Sequence, residues 1–217
     1  MASSLPLPRG SRVIVYIDGF NLYYGVLRFS RDKWLDIERL FTILRPHDQL
    51  EKIRYVTALS SGGQSQDQLA YLRALQTLSL VDVVRGRYKK KSVKCLVQIC
   101  SVPDRDRMFG TQEEKRTDVN IAVSMLDDAY QGLCDHLIVV SGDSDLVPAV
   151  NMVKTRFPAK QVTVYVPSRN PIRGAAVELR AAADKNRDLP LNLLKIAQLP
   201  ASIPDGSGGF IRKPVSW

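Results

Sequence analysis

Histidine and cysteine are scarce in this chain: its 217 residues include 2 His and 3 Cys. Cys95, Cys100 and Cys134 form no Cys-x-x-Cys pair, so a zinc site of the usual spacing is not expected. Their odd number suits free thiols in a reducing compartment better than a disulfide framework. Long apolar runs are missing as well, since none approaches the roughly 18 residues of a membrane span. Met1 to Ser11 is polar, with Pro and Ser, and lacks the apolar core of a secretory signal. A cytoplasmic location away from membranes is therefore expected. The Gly-x-x-x-x-Gly-Lys-Ser/Thr pattern of a P-loop is absent, and so is any internal repeat.

What remains is ordinary globular composition, 45% hydrophobic and 24% charged. The length suits one α/β domain. Its expected limits are 12–199, with a flexible N-terminal extension over 1–11. A flexible tail, marked by Gly206, Gly208 and Gly209, is expected over 200–217. Lys and Arg number 31 against 22 acids, a formal charge of +9, which favours a polyanionic partner.

The acids recur at corresponding places. His136-Leu-Ile-Val-Val140 is an apolar β-branched run of the kind that forms a parallel strand buried on both faces. It ends in Ser141-Gly-Asp143-Ser-Asp145. Val13-Ile-Val-Tyr-Ile17 is a second such run, ended by Asp18 and followed by Gly19 and Asn21. Asp118 opens a strongly periodic helix after Glu113-Glu-Lys-Arg-Thr117. One acid behind a strand can be a helix cap, and an acid in a first turn suits the helix dipole. Acids at matching places in a strand-helix alternation point instead to one cluster, because parallel strands present the same ends on the same side. Ligands of open parallel sheets bind beyond those carboxyl ends. Carboxylates with no His or Cys among them favour Mg²⁺ or Mn²⁺ over Zn²⁺.

Spacing predicts helices over 35–44, 69–78, 118–130, 146–157, 173–183 and 191–199, and further strands over 52–59, 81–84 and 161–166. Residues 21–29 open a helix or a loop, in which Tyr23 and Tyr24 either pack half-buried or stack on bases. Residues 60–65 read as a loop. On the 118–130 helix the apolar face is expected at Val119, Ala122, Val123, Leu126, Ala129 and Tyr130. The densest basic run is Arg85-Gly-Arg-Tyr-Lys-Lys-Lys-Ser-Val-Lys94. Arg85, Arg87, Lys89, Lys90, Lys91 and Lys94 either sit on a solvated hairpin tip or contact a phosphate backbone. The returning strand is expected over 96–102 and a loop over 103–111.

Three motifs in order, Asp18-Gly-Phe-Asn21, Lys115-Arg-Thr-Asp118-Val119 and Ser141-Gly-Asp143-Ser-Asp145, resemble the NYN domain family of PIN-like nucleases, in its LabA-like branch. The resemblance continues through Ala182-Ala-Asp-Lys185 and spans Arg12 to Gln198. It implies a three-layer α/β/α sandwich around a mainly parallel sheet. It also implies a metal-dependent ribonuclease that hydrolyses single-stranded RNA at an acidic Mg²⁺ or Mn²⁺ site, with DNA as the other candidate substrate. Carried over by position, Asp18, Asp118, Asp143 and Asp145 are the catalytic acids and metal ligands, and Asn21 and Ser141 are orienting polar residues. Asp18, Asp143 and Asp118 are expected to bind directly, and Asp145 directly or through water. Neither His47, in a turn after Pro46, nor His136, at the far end of its strand, is placed to act as a base. Arg116-Thr117 stands where this branch often has a small residue, so the entry to the following helix is expected to differ. One alternative is a catalytically silent PIN-like module that binds RNA or a protein. The other is a phosphotransferase or phosphatase with an aspartyl nucleophile on a doubly wound sheet, which would want a second acid where Phe20 stands.

Overall fold

The structure is a computed structural model and describes residues 10–59, 65–97, 101–103, 106–169 and 176–217. At its centre lies β1 (Arg12–Asp18), buried from Val13 onward. Val13, Val15 and Ile17 enter one apolar cluster, and Ile14 and Tyr16 enter another. This is the two-residue period of a strand covered on both faces. β1 pairs in parallel with β2 (Gln49–Thr57) on one side and β6 (His136–Val140) on the other. The sheet continues outward through β3 (Val81–Arg85) beside β2, and through β7 (Gln161–Val166) and β8 (Lys185–Asp188) beside β6, all parallel.

Helices cover both faces, which makes the three-layer α/β/α sandwich. On one face lie α1 (Gly19–Leu22, running on into a π turn, Tyr23–Leu27), α2 (Ile37–Leu44), α3 (Ser65–Leu75) and α7 (Leu191–Ile196). On the other lie α4 (Thr117–Tyr130), α5 (Val147–Arg156) and α6 (Val177–Ala182). The chain leaves β1 in one direction, to β2 and β3, and returns through α4 to continue from β6 in the other. The strand order therefore reverses between β1 and β6, and a crevice opens beyond their carboxyl ends at such a reversal.

Four features differ from expectation. The first is the rotation of α4: Val119, Val123 and Tyr130 are 64%, 59% and 81% exposed, while Ile121, Met125, Asp128 and Ala129 are buried. A polar anchor sets this rotation. Asp128 is fully buried, takes two hydrogen bonds from Arg54 at 2.6 and 2.8 Å, and accepts one from Tyr16 Oη at 2.8 Å. Counting only apolar residues misses a helix face organised around a buried acid.

The second concerns the basic run, which is no hairpin tip. It forms β4 (Arg87–Lys94), paired antiparallel to β5 (Met108–Lys115), with Arg87 opposite Lys115 and Lys94 opposite Met108. The returning strand is thus 108–115, in place of 96–102; residues 98–100 and 104–105 of the connection lie outside the described residues. The third is β8, whose Lys-Asn-Arg-Asp is exposed throughout and carries no apolar period. Charged residues of that kind suit the edge of a sheet.

The fourth is the segment 200–217, expected as a flexible tail. β9 (Ser202–Pro204) and β10 (Phe210–Arg212) form a short hairpin there, and Ile211 is buried in the core. The Trp217 ring lies 5.5 Å from that of Tyr71 and 6.2 Å from that of Trp34. Isolated apolar residues in a glycine-rich stretch show no period, yet each fills a gap that the rest of the fold has already made. The expected loop at 60–64 and the expected helix start at 173 lie outside the described residues. Among the described residues no helix is long and apolar enough to cross a membrane.

Candidate metal centre and basic groove

At the reversal point, β1 delivers Asp18 and β6 delivers Ser141, followed by a 3₁₀ turn over Ser144–Leu146. The Asp143 side chain caps that turn by accepting from Asp145 N at 3.0 Å. Asp118 comes from the first turn of α4, which begins after Arg116 in a left-handed conformation, φ 78°. Arg116 is the residue at that entry, and its side chain makes no capping hydrogen bond. Asp118, Asp143 and Asp145 each offer a carboxylate oxygen, and these oxygens lie within 4.8 Å of one another. An all-oxygen set drawn from three acids fits a hard divalent cation.

Asp18 is placed differently. It is 2% exposed, and its oxygens are already engaged. Oδ1 accepts from Asn21 N at 2.9 Å; Oδ2 accepts from Asn21 Nδ2 at 2.6 Å and from Ser141 Oγ at 3.0 Å. Ser141 Oγ accepts in turn from Asp143 N at 3.1 Å, and Asn21 Oδ1 accepts from Gly142 N at 3.1 Å. Asp18 therefore ties the end of β1 to the turn that carries Asp143 and lies behind the three converging acids. From sequence it ranks with the direct ligands and Asp145 binds directly or through water; in the structure Asp145 is in the group of converging acids and Asp18 is outside it.

Burial and mutual repulsion set the electrostatics of the acids. Partial burial, and then the charges of Asp18, Asp143 and Asp145, push the Asp118 carboxyl up to about 6. Burial raises Asp18 as well, against hydrogen bonds from Asn21 and Ser141 that favour its charged form. A further acid, Glu114, belongs to this environment and is missed from sequence. Burial raises its carboxyl, Asp18 and Asp118 add to the shift, and Thr117 Oγ1 donates to it at 2.5 Å. Its signal is weak, because Glu114 stands in the run Glu113-Glu-Lys-Arg116 of mixed charge, with no apolar strand before it to mark it. His136 is far from this edge, opening β6 at its other end; it is buried, bonded to Thr163 at 2.7 Å, and held down to about 4 by burial and Arg45.

An open groove beside Asp118 is lined by Arg87, Tyr88, Lys89, Lys115, Arg116 and Val119. Of the basic residues singled out from sequence, Arg87 and Lys89 reach it. Arg85 ends β3, and Lys90, Lys91 and Lys94 continue along β4 away from it. Lys115 and Arg116 complete the groove and stand in the sequence motif itself. Cys95 and Cys134 carry no disulfide, and Cys100 lies outside the described residues.

Acids gathered at the switch point of an open parallel sheet define an α/β protein with an acidic site. The chain belongs to the NYN domain family, which it matches over residues 12–190. It is 30% identical to a Pseudomonas putida protein named 6-hydroxy-3-succinoylpyridine 3-monooxygenase HspA, over 95% of this chain and 75% of that one. It is 28% identical to the low amplitude and bright protein LabA of Synechococcus elongatus, over 83% of this chain and 85% of that one. A crystal structure of a Vibrio parahaemolyticus protein of unknown function shares the fold, with a TM-score of 0.54 at 18% identity over 86% of this chain and 97% of its own.

Proposed function

We propose that this protein is a divalent-cation-dependent ribonuclease that hydrolyses phosphodiester bonds of single-stranded RNA. The observation that carries the reading is the convergence of Asp118, Asp143 and Asp145 at the sheet's switch point. These three would hold Mg²⁺ or Mn²⁺. The chemistry such an ion supplies is neutralisation of phosphate charge and a lowered pKa for bound water. The chain's own residues do the positioning. Asp18 and Asn21 hold the Ser141–Asp143 turn in place, and Ser141 fixes the backbone of Asp143. Arg87, Lys89, Lys115 and Arg116 give the phosphate backbone a path to acids that would otherwise repel it.

The purified chain should cleave single-stranded RNA in Mn²⁺ or Mg²⁺ and stop on adding EDTA. Outer partners of a metal site cost 10- to 100-fold when removed, so Asp143→Asn, which removes a ligand charge, should cost at least about 100-fold. RNA left intact by the metal-loaded protein, or cut equally well by Asp143→Asn, overturns the reading; DNA cut in preference to RNA corrects the substrate.

A second reading has two observations in its favour: a pocket rich in aromatic side chains has Gly19, the residue after Asp18, in its wall, and the Pseudomonas relative is named for a substituted pyridine. A small heteroaromatic substrate would then take the place of RNA, and its hydroxylation by the purified chain, with O₂ as oxidant and a two-electron reductant added, would establish it.

A further inference from the structure

The aromatic pocket begins beside Asp18, at the end of β1. Gly19, the residue after Asp18, forms part of its wall, together with Tyr55 and Thr57 from the end of β2. β2 lies beside β1, with Val56 opposite Asp18. The Tyr55 ring presses on the Gly19 backbone so closely that a Cβ there would lie 2.8 Å from Cζ and 2.9 Å from Oη. The glycine leaves this wall open to the ring.

The pocket's volume is about 260 Å³. That is below the ~300–1,000 Å³ of sites for drug-sized ligands and suits a single ring system. At its mouth Phe20 and Tyr24 pack with ring centroids 4.3 Å apart and planes tilted by 40°, yet they remain 38% and 48% exposed. Arg28 lies over one part of the Tyr24 ring, 5.2 Å from its centroid, and the rest of both rings faces solvent. Inside, Tyr55 is 5% exposed, and its hydroxyl has no hydrogen-bond partner among the described residues. Asp67 adds an acceptor at the wall. Ring faces with a few polar groups match a base, which stacks on its faces and hydrogen-bonds at its edge. Tyr88 lines both this pocket and the basic groove, so the two cavities share a side chain.

We propose that the pocket receives one nucleobase of the bound RNA, from a nucleotide next to the phosphate held at the acidic group, while the strand's backbone follows the basic groove. The proposal rests on the ribonuclease reading, and it names what that reading leaves open: how a strand is registered against the acids. Because stacking tolerates every base, the register is set by the presence of a ring more than by its identity.

The test uses the full chain and an oligoribonucleotide of uniform sequence in which one abasic residue is moved a position at a time. With Mn²⁺, one abasic position relative to the cut should lower cleavage by about tenfold or more, and its neighbours much less, as loss of one stacked base implies. Phe20→Ala and Tyr24→Ala remove exposed rings, so the fold should persist, and each should lower kcat/KM for the unmodified oligonucleotide by roughly tenfold. Both variants should also erase the position dependence. Abasic oligonucleotides all cleaved at the parent rate would overturn the pocket and leave the ribonuclease reading intact.

A binding arm covers the converse. With EDTA present, an oligoribonucleotide carrying 2-aminopurine should be quenched by the parent and not by Tyr24→Ala. That result without any cleavage would sustain the pocket and sink the ribonuclease reading. No quenching at any position overturns the pocket. Free 2-aminopurine riboside or a free hydroxypyridine binding as tightly as the oligonucleotide would also overturn it, by assigning the pocket to a small heteroaromatic molecule.

Discussion

Two aspartates on α4 show how far context decides the worth of the same side chain. Asp128 is fully buried and held by Arg54 and Tyr16; Asp118, ten residues earlier, is only partly buried and faces other acids. Removing one partner of a buried pair costs about 3–5 kcal/mol. Arg54 would keep Asp82 at 3.0 Å, so Asp128→Ala should cost about 3 kcal/mol, the lower end of that range, in a urea titration. Asp118→Asn should do the reverse in metal-free protein. Its carboxyl titrates at about 6 in the fold against an ordinary 3.8. Between those values the unfolded chain releases its proton first, so this group's contribution is fully present below about 4 and is lost as pH rises through about 6. The variant should melt roughly 2–4 °C higher at pH 7.5 and no higher at pH 4. An equal gain at both pH values would remove charge repulsion as the cause. From sequence both residues are acids in one helix. Only the fold, which brings Arg54 to one and Asp143 to the other, tells them apart.

At the scale of elements, the β4–β5 hairpin carries the weakest signal in the sequence. Lys89-Lys-Lys91 carries no apolar period, and a strand made of cations is recognised only through its partner, which starts fourteen residues after β4 ends. The pairing separates cations that the sequence lumps together: Arg87 and Lys89 line the groove, and Lys90 lies outside it. Lys89→Ala should therefore weaken binding to single-stranded RNA and lower the slope of log affinity against log salt by about 0.7. Lys90→Ala should change the slope little. Equal slopes for the two variants would mean that the run acts as diffuse charge, with no defined path. The motifs flanking the hairpin were legible for a physical reason. Buried parallel strands need continuous β-branched runs, and the acids follow them directly in the chain. The same logic fails for β8, an edge strand with nothing to bury.

For the molecule as a whole, the sandwich follows from the two-sided apolar period of β1 and β6, which sequence shows plainly. Which acids meet does not follow from it, because that depends on how the two halves of a doubly wound sheet close at their reversal point. Asp118 belongs to the connection between the halves, and Asp143 and Asp145 belong to the second half, so a cation shared by the three links α4 to the β6 turn. A ligand that binds only the folded chain stabilises it by about 2.7 kcal/mol at 100 times its Kd. For a chain of this size that corresponds to a rise in Tm of roughly 5–10 °C. Mn²⁺ added to EDTA-stripped protein should produce such a rise in the parent and in Lys89→Ala. The rise should be largely lost in Asp143→Asn and in Asp145→Asn. The Asp145 variant is the more decisive of the two: Asp143 also caps a turn, whereas Asp145 is exposed and makes no other side-chain bond among the described residues. A full Mn²⁺ shift in Asp145→Asn would take it out of the ligand set and leave Asp118 and Asp143 to bind the ion, with Asp18 the next acid behind them.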